Sequence, residues 1–137
     1  MKRGIVFLLW MAMWLPVEAN NVRIVKEPDI AVAAITDGIA LIEMDIAWDN
    51  SWRDEFNWDA VYIFLKYKRK TETAWKHVYL MDGGHAIGLP DFEFQMAKSS
   101  TDVNKCMGIF IQRSKVGSGS VSRLSLKLRW LLKNNGL

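Results

Sequence analysis

Two apolar segments with the alternation of β-strands, joined by a tryptophan-rich connection, constrain most strongly what this chain can fold into. Residues 39–48 place apolar side chains at every second position, with Glu43 and Asp45 between them. Residues 60–68 begin with a run that is apolar on both faces. A period of two is typical of a strand with one solvated face, and a doubly apolar run is typical of a central strand. These segments predict an all-β fold.

The rest of the chain repeats short apolar segments between polar turns. Turn signals such as Asp37-Gly38 and residues 82–84 recur at the spacing of a β-sandwich. We expect an antiparallel, immunoglobulin-like β-sandwich of about seven strands, because two half-apolar sheets must cover each other; a small β-barrel is the alternative. The predicted core contains Ile42, Ile46, Ile63, Leu65, Leu126 and Leu128. The predicted strands are residues 21–26, 39–48, 60–68, 74–80, 92–96, 107–112 and 121–130, with a flexible hairpin connection over residues 116–120.

The first 19 residues have the pattern of a signal peptide. Lys2 and Arg3 precede an apolar run over residues 5–15, and Val17-Glu18-Ala19 offers a small-x-small cleavage site. This run is shorter than the roughly 20 residues that a membrane-spanning helix needs. We predict cleavage after Ala19 and one domain over residues 20–137, with an uncleaved membrane anchor as the alternative. The mature protein would be exported, without a stable membrane span, to the periplasm, the cell surface or the medium.

Charge and cysteine content argue against two classes of protein. Without Lys2, Arg3 and Glu18, 16 of the 18 basic residues and 14 of the 15 acidic residues remain, a net charge of +2. This charge is too weak for nucleic-acid binding, which needs a strong basic patch. Cys106 is the single cysteine, so an exported domain can form no internal disulfide, and we predict that this thiol is buried.

The connection at residues 49–59 is the candidate binding site, and its candidate residues are Trp52, Arg53, Asp54 and Trp58. Exposed indole rings could hold a sugar ring or a peptide at low entropic cost. The alternative is that the tryptophans pin the connection to the end of the sandwich. We predict that Trp48 and Trp58 are buried, whereas Trp52 and Arg53 lie nearer the surface.

The acidic side chains of this connection allow two interpretations. Asp, Glu and Asn residues between positions 49 and 59 could gather the hard oxygen ligands that calcium prefers. Their spacing matches no EF-hand loop, so we favour turn-forming hydrogen bonds to the backbone. The sequence predicts no metal site and no cofactor. Arg53 is expected to pair with Asp54, Glu55 or Asp59.

The sequence offers no recognisable catalytic constellation. His77 and His85 are the only histidines, and neither stands in a pattern with a nucleophile or with metal ligands. We therefore predict that His77 is a structural residue, that His85 belongs to a turn, and that the protein is not an enzyme.

Several motifs of the chain resemble those of one family of bacterial exported proteins. These motifs are residues 46–53, 57–61, 64–67, 75–77, 108–114, 117–119 and 126–130. Through them the chain is similar to the N-terminal β-rich domain of proteins whose second domain is sulfatase-modifying-factor-like, that is, formylglycine-generating-enzyme-like. The segments 89–100 and 131–133 depart from the pattern of that family.

The resemblance implies an exported accessory module without catalysis, because the active site of those longer proteins lies in their second domain. We predict a non-catalytic binding or interaction module whose partner is a protein or a glycan. A carbohydrate-binding module that uses an exposed tryptophan is the alternative, and a hydrolase with an unrecognised site is the third hypothesis. The sequence leaves open whether the chain is complete or a fragment of a longer protein.

Overall fold

The computed structural model describes residues 20–30 and 35–137, and within them the chain forms ten β-strands and no α-helix. Within the same ranges, no helix is long and apolar enough to cross a membrane. The predicted signal peptide lies outside the described residues. The strands are β1 (Val22–Asp29), β2 (Ile35–Thr36), β3 (Ile39–Arg53), β4 (Ala60–Ile63), β5 (Lys66–Tyr67), β6 (Lys76–His77), β7 (Ala86–Ile87), β8 (Phe92–Lys98), β9 (Cys106–Arg113) and β10 (Gly117–Leu131), followed by a 3₁₀ turn, Leu132–Asn135.

Antiparallel pairing joins these strands into three sheets. The largest has the order β1-β3-β10-β7, with β2 beside β3, and its centre is the pair of 15-residue strands β3 and β10. The second sheet has the order β4-β9-β8, and β5 pairs with β6 in a small third sheet. The all-β, antiparallel prediction is confirmed. The described strands do not close into a barrel, so the barrel alternative is wrong.

One hydrophobic core takes side chains from both larger sheets. Alternate residues of β3 and β10 enter it, because successive side chains of a strand leave on opposite faces. Ile109 and Ile111 of β9 enter it from the second sheet. The predicted core residues are confirmed: Ile42, Ile46, Leu126 and Leu128 are buried, and Ile63 and Leu65 are partly buried against them.

Two predicted strands are shorter than the sequence indicated. The segment at residues 60–68 divides into β4 and β5, because β4 pairs with β9 whereas β5 pairs with β6. The segment at residues 74–80 contributes only β6 and an isolated pairing at Leu80. Leu80 pairs with Cys106 of the second sheet and with Trp130 of the first, so it links the two sheets at one edge.

The predicted hairpin connection at residues 116–120 is wrong. Gly117 already belongs to β10, and Gly117 and Gly119 pair with Arg53 and Ser51 of β3. The chain therefore passes from the second sheet to the first between β9 and β10 rather than forming a hairpin. Gly119 has a φ of 140°, which glycine adopts readily because it has no side chain. Glycine is therefore as compatible with this strand end as with a turn.

A bulge in β3 sets the direction of the tryptophan-rich connection. Trp48 pairs with Val121 and Ser51 pairs with Gly119, so β3 has one residue more than β10 between these pairs. Asn50 has a φ of 56°, a left-handed conformation that asparagine tolerates better than most residues. As a result, Trp48 and Ser51 are both buried, and β3 extends beyond its predicted end.

Candidate functional site

The four predicted site residues come together at one tight hairpin, residues 52–58, which we call the tryptophan hairpin. Arg53 and Trp58 pair across it. The Asp54 carboxylate accepts hydrogen bonds from the backbone N–H groups of Phe56 (2.7 Å) and Asn57 (2.6 Å), which lower the pKa of that carboxyl group. Asp54 therefore shapes the turn, as the hydrogen-bonding interpretation predicted.

The tryptophans differ sharply in exposure. Trp48 is 1% exposed and packs 5.9 Å from the Phe92 ring, so its predicted burial is confirmed. Trp52 is 39% exposed, as predicted. Trp58 is 44% exposed, so its predicted burial is wrong. The reason is local: the tight turn places the Trp58 ring against the Arg53 guanidinium, 4.6 Å from the ring centre, and not against the core.

Arg53 connects the tryptophan hairpin to the second sheet. Its guanidinium donates a hydrogen bond to the Arg113 carbonyl (2.6 Å) and lies 3.3 Å from a Glu93 carboxylate oxygen. The same Glu93 oxygen accepts a hydrogen bond from the Gln112 side-chain amide (2.9 Å). The predicted pairing of Arg53 with an acid of its own connection is wrong, because β3 ends beside β8 and β9.

Two other acids of the connection, Asp59 and Asp49, are engaged by nearby donors. Asp59 accepts hydrogen bonds from the Trp52 backbone N–H (3.0 Å) and from the Asn20 side chain, and burial raises its pKa. Asp49 pairs with Arg23 at 2.6 Å. Among the described residues, no three His, Cys, Asp or Glu side chains converge as a metal site would require.

A row of aromatic rings that begins on the outer face of the second sheet and continues to the third sheet is a feature that the sequence analysis missed. Tyr62 and Phe110 pair directly across β4 and β9, while the residues beside them point into the core. Tyr62 is 42% exposed and Phe64 is 48% exposed. The members of this aromatic row are, in order, Phe110, Tyr62, Phe64, His77 and Tyr79, with successive ring centres 4.7, 5.8, 5.9 and 5.6 Å apart.

Gly108 makes room for the aromatic row. A Cβ atom at this position would lie 2.6 Å from the Tyr62 hydroxyl oxygen, 2.7 Å from a Tyr62 ring carbon and 2.6 Å from the Ile63 carbonyl oxygen. Real Cβ atoms do not approach other atoms so closely. Tyr62 therefore lies over the bare backbone of Gly108, which provides the flat surface under this ring.

The aromatic row is flanked by cations and is continuous with the tryptophan hairpin. The ammonium groups of Lys66 and Lys105 lie 6.0 Å from the Phe64 ring centre and 5.3 Å from the Tyr79 ring centre. Phe110 and Gln112 share one face of β9, and Gln112 contacts Glu93, the partner of Arg53. One signal in the sequence could have identified this surface: Tyr62 and Phe64 alternate with core residues in the strand at residues 60–68.

The side chains that could suggest catalysis are engaged elsewhere. The His85 Nδ1 atom accepts a hydrogen bond from the Arg129 N–H (3.0 Å), so Nε2 carries the proton and donates to the Met81 carbonyl (3.0 Å). Burial lowers the pKa of His85. Cys106 is buried, as predicted, and burial raises the pKa of its thiol. A cysteine nucleophile would need the opposite shift.

Comparison of this chain with protein-family models, with curated proteins and with solved structures finds no match. The resemblance to the N-terminal domain of sulfatase-modifying-factor-like proteins remains a prediction.

Proposed function

We propose that this protein is a non-catalytic binding module whose ligand-contacting surface is the aromatic row together with the tryptophan hairpin. One observation carries the proposal: five aromatic rings stand in successive contact from the outer face of the second sheet to the third sheet, and three of them, Tyr62, Phe64 and Phe110, are at least 37% exposed. Continuous exposed apolar surface is characteristic of interaction sites.

A protein or peptide ligand accounts best for the make-up of this surface. Aromatic rings supply rigid contact area, and the Arg53–Glu93 pair beside them supplies the polar rim that such interfaces usually have. The cations at Lys66 and Lys105 add positive charge beside the rings. We therefore favour a partner segment that presents apolar and acidic side chains.

A glycan is the second candidate ligand, and one feature favours it. The Phe64 ring is 48% exposed and is stacked on the His77 ring, with 7° between their planes, and this contact holds Phe64 in a fixed orientation for stacking on a sugar ring. The binding of a sugar by Trp52, as the sequence suggested, has less support. The ring contacts of the described residues include no stacking of Trp52 with Trp58. A hydrolase is the weakest hypothesis, since both ring nitrogens of His85 are occupied by backbone groups.

A paired screen decides between the two ligand classes. The purified protein is applied to a glycan array and, immobilised, to a protein extract, each beside a variant with Tyr62→Ser and Phe64→Ser. We expect the extract to yield a partner that the double variant fails to capture. Capture of a glycan alone would assign the site to carbohydrate binding, and identical results for the two forms would refute the proposed site.

Export, the finer fold assignment and the family context are proposals as well. We propose an exported protein, to be tested by mass spectrometry of the mature N-terminus, which should be Asn20. We also propose that the two larger sheets are the layers of a β-sandwich, supported by their shared core. The immunoglobulin-like strand order is a hypothesis that an experimental structure tests.

The family relationship is a hypothesis as well. A sulfatase-modifying-factor-like reading frame downstream of this gene would support it.

A further inference from the structure

The core is open to solvent along one edge, between β1 and β4. β1 is the outermost strand of the first sheet, and β4 is an outermost strand of the second. A cleft of about 410 Å³ lies between them, and a second cleft of about 160 Å³ shares Pro28, Leu65 and Lys66 with it. The two clefts therefore form one continuous depression, which we call the edge groove.

Apolar side chains line the edge groove on both sides and at its base. Val22 and Ile24 of β1 form one wall and are 40% and 59% exposed. Val61 and Ile63 of β4 form the opposite wall, together with Tyr62 and Phe64, which also belong to the aromatic row. The base is Ile46, which is itself buried in the core. A volume of this size, with apolar walls, lies within the range of about 300–1,000 Å³ typical of ligand sites.

The wall formed by β1 also offers backbone hydrogen-bonding groups. All eight residues of β1 are exposed, and among the described strands β1 pairs with β3 alone. Within residues 20–30 and 35–137, its outer edge is therefore a row of N–H and C=O groups without a strand partner. Such an edge is a template for a further strand.

We propose that the edge groove docks an extended strand of a partner protein in which apolar and acidic residues alternate. A strand added to β1 would direct every second side chain into the groove, where apolar residues cover Ile24 and Ile46. The remaining side chains would face outward. Lys66 of the β4 side lines both parts of the groove, whereas Glu27 and Asp29 flank Pro28 on the β1 side. An acidic side chain of the added strand would therefore complement Lys66.

The geometry favours this occupant over two others. The β1 strand of a second copy is flanked by its own β3, so it cannot enter the groove. A fatty acid would fill the apolar volume and meet Lys66, but it would leave the backbone edge of β1 without partners. Only an extended strand uses both the apolar walls and the free edge.

The test uses an eight-residue peptide, the length of β1, in which valine and glutamate alternate and both ends are capped. A peptide of equal composition with four glutamates followed by four valines is the control. Fluorescence anisotropy of the labelled peptides measures affinity for the purified protein, for Ile24→Glu and for Val25→Glu. Val25 is the matched control position, because it is 52% exposed on the same strand but does not line the groove.

We expect the alternating peptide to bind saturably and the block peptide to bind at least tenfold more weakly. Ile24→Glu should lower the affinity for the alternating peptide at least tenfold, and Val25→Glu should change it less than twofold. Circular dichroism verifies that both variants are folded. Equal binding of the two peptides, equal effects of the two substitutions or no binding would overturn the proposal. Stoichiometric binding of dodecanoate that displaces the peptide would also overturn it in favour of a lipid. Phe110 belongs to the aromatic row but, unlike Tyr62 and Phe64, does not line the groove. Phe110→Ser should therefore weaken capture of the partner by the aromatic row and leave peptide binding unchanged, so the two proposals fail separately.

Discussion

At the residue scale, the tryptophans of the tryptophan-rich connection have two different roles: one stabilises the fold, and the others are accessible to a ligand. Trp48 is buried beside Phe92, whereas Trp52 and Trp58 remain substantially exposed. Strand alternation predicts the burial of Trp48, because it continues the inward positions of β3. The exposure of Trp58 could not be predicted, since it depends on the turn at Asp54 and on contact with Arg53, a residue brought beside it only by that turn.

This separation predicts opposite effects of two alanine substitutions. Trp48→Ala should lower the free energy of unfolding by roughly 3–5 kcal/mol, because it leaves a large cavity in the core. Trp52→Ala should leave the melting temperature nearly unchanged and weaken ligand binding. Chemical denaturation of both variants measures the difference. If both destabilise the fold equally, the connection is entirely structural and its role in binding must be abandoned.

Because the side chain of His85 is partly buried, we expect the free energy of unfolding to depend on pH. Burial holds its pKa in the folded protein below the ordinary value of 6.5, so the unfolded chain binds a proton that the folded chain does not. The free energy of unfolding should therefore fall as the pH drops below about 6.5 toward the folded pKa, with no contribution from His85 at higher pH. Denaturation at pH 7.5, 6.5 and 5.5 measures this slope.

The control for this pH effect is His85→Asn, whose amide oxygen can replace Nδ1 as acceptor for the Arg129 N–H. This variant should lose most of the slope between pH 6.5 and 5.5. A slope identical to that of the original protein would assign the effect to other groups.

At the element scale, the long strands could be predicted and the short ones could not. The alternation in β3 and β10 is strong because one face of each strand is buried along much of its length. The division of residues 60–68 into β4 and β5 depends on two different pairing partners, which local sequence does not reveal. The same is true of Gly117, which pairs with β3 although its glycine- and serine-rich surroundings are typical of a turn.

The close contact between Gly108 of β9 and Tyr62 of β4 predicts how a substitution in one strand affects the aromatic row. Gly108→Ala should destabilise the fold by about 1–3 kcal/mol and displace the Tyr62 ring, because the new methyl group would meet both that ring and the Ile63 carbonyl. Thermal unfolding and near-ultraviolet circular dichroism measure the two effects. Gly83→Ala is the matched control, since a Cβ atom there would meet nothing within 4 Å. Equal stability of the two variants would show that Tyr62 does not depend on Gly108.

At the scale of the whole molecule, the fold combines a well-packed centre with two surfaces that it leaves uncovered. The aromatic row runs from the outer face of the second sheet to the third sheet, and the edge groove lies between β1 and β4; Tyr62 and Phe64 belong to both surfaces. Sequence patterns predicted the all-β class and the core, because burial leaves a period of two. They could not predict either surface, since each depends on which strands become neighbours.

The most direct test of the central claim is quantitative capture of the partner from the extract by Phe64→Ser compared with Trp75→Ser. Both rings are exposed, at 48% and 63%, but only Phe64 belongs to the aromatic row. We predict at least a tenfold loss of captured partner for Phe64→Ser, none for Trp75→Ser, and a change in the free energy of unfolding below about 0.5 kcal/mol for both, as is usual for surface positions. Undiminished capture by Phe64→Ser, or equal losses for the two variants, would contradict the assignment of ligand binding to the aromatic row.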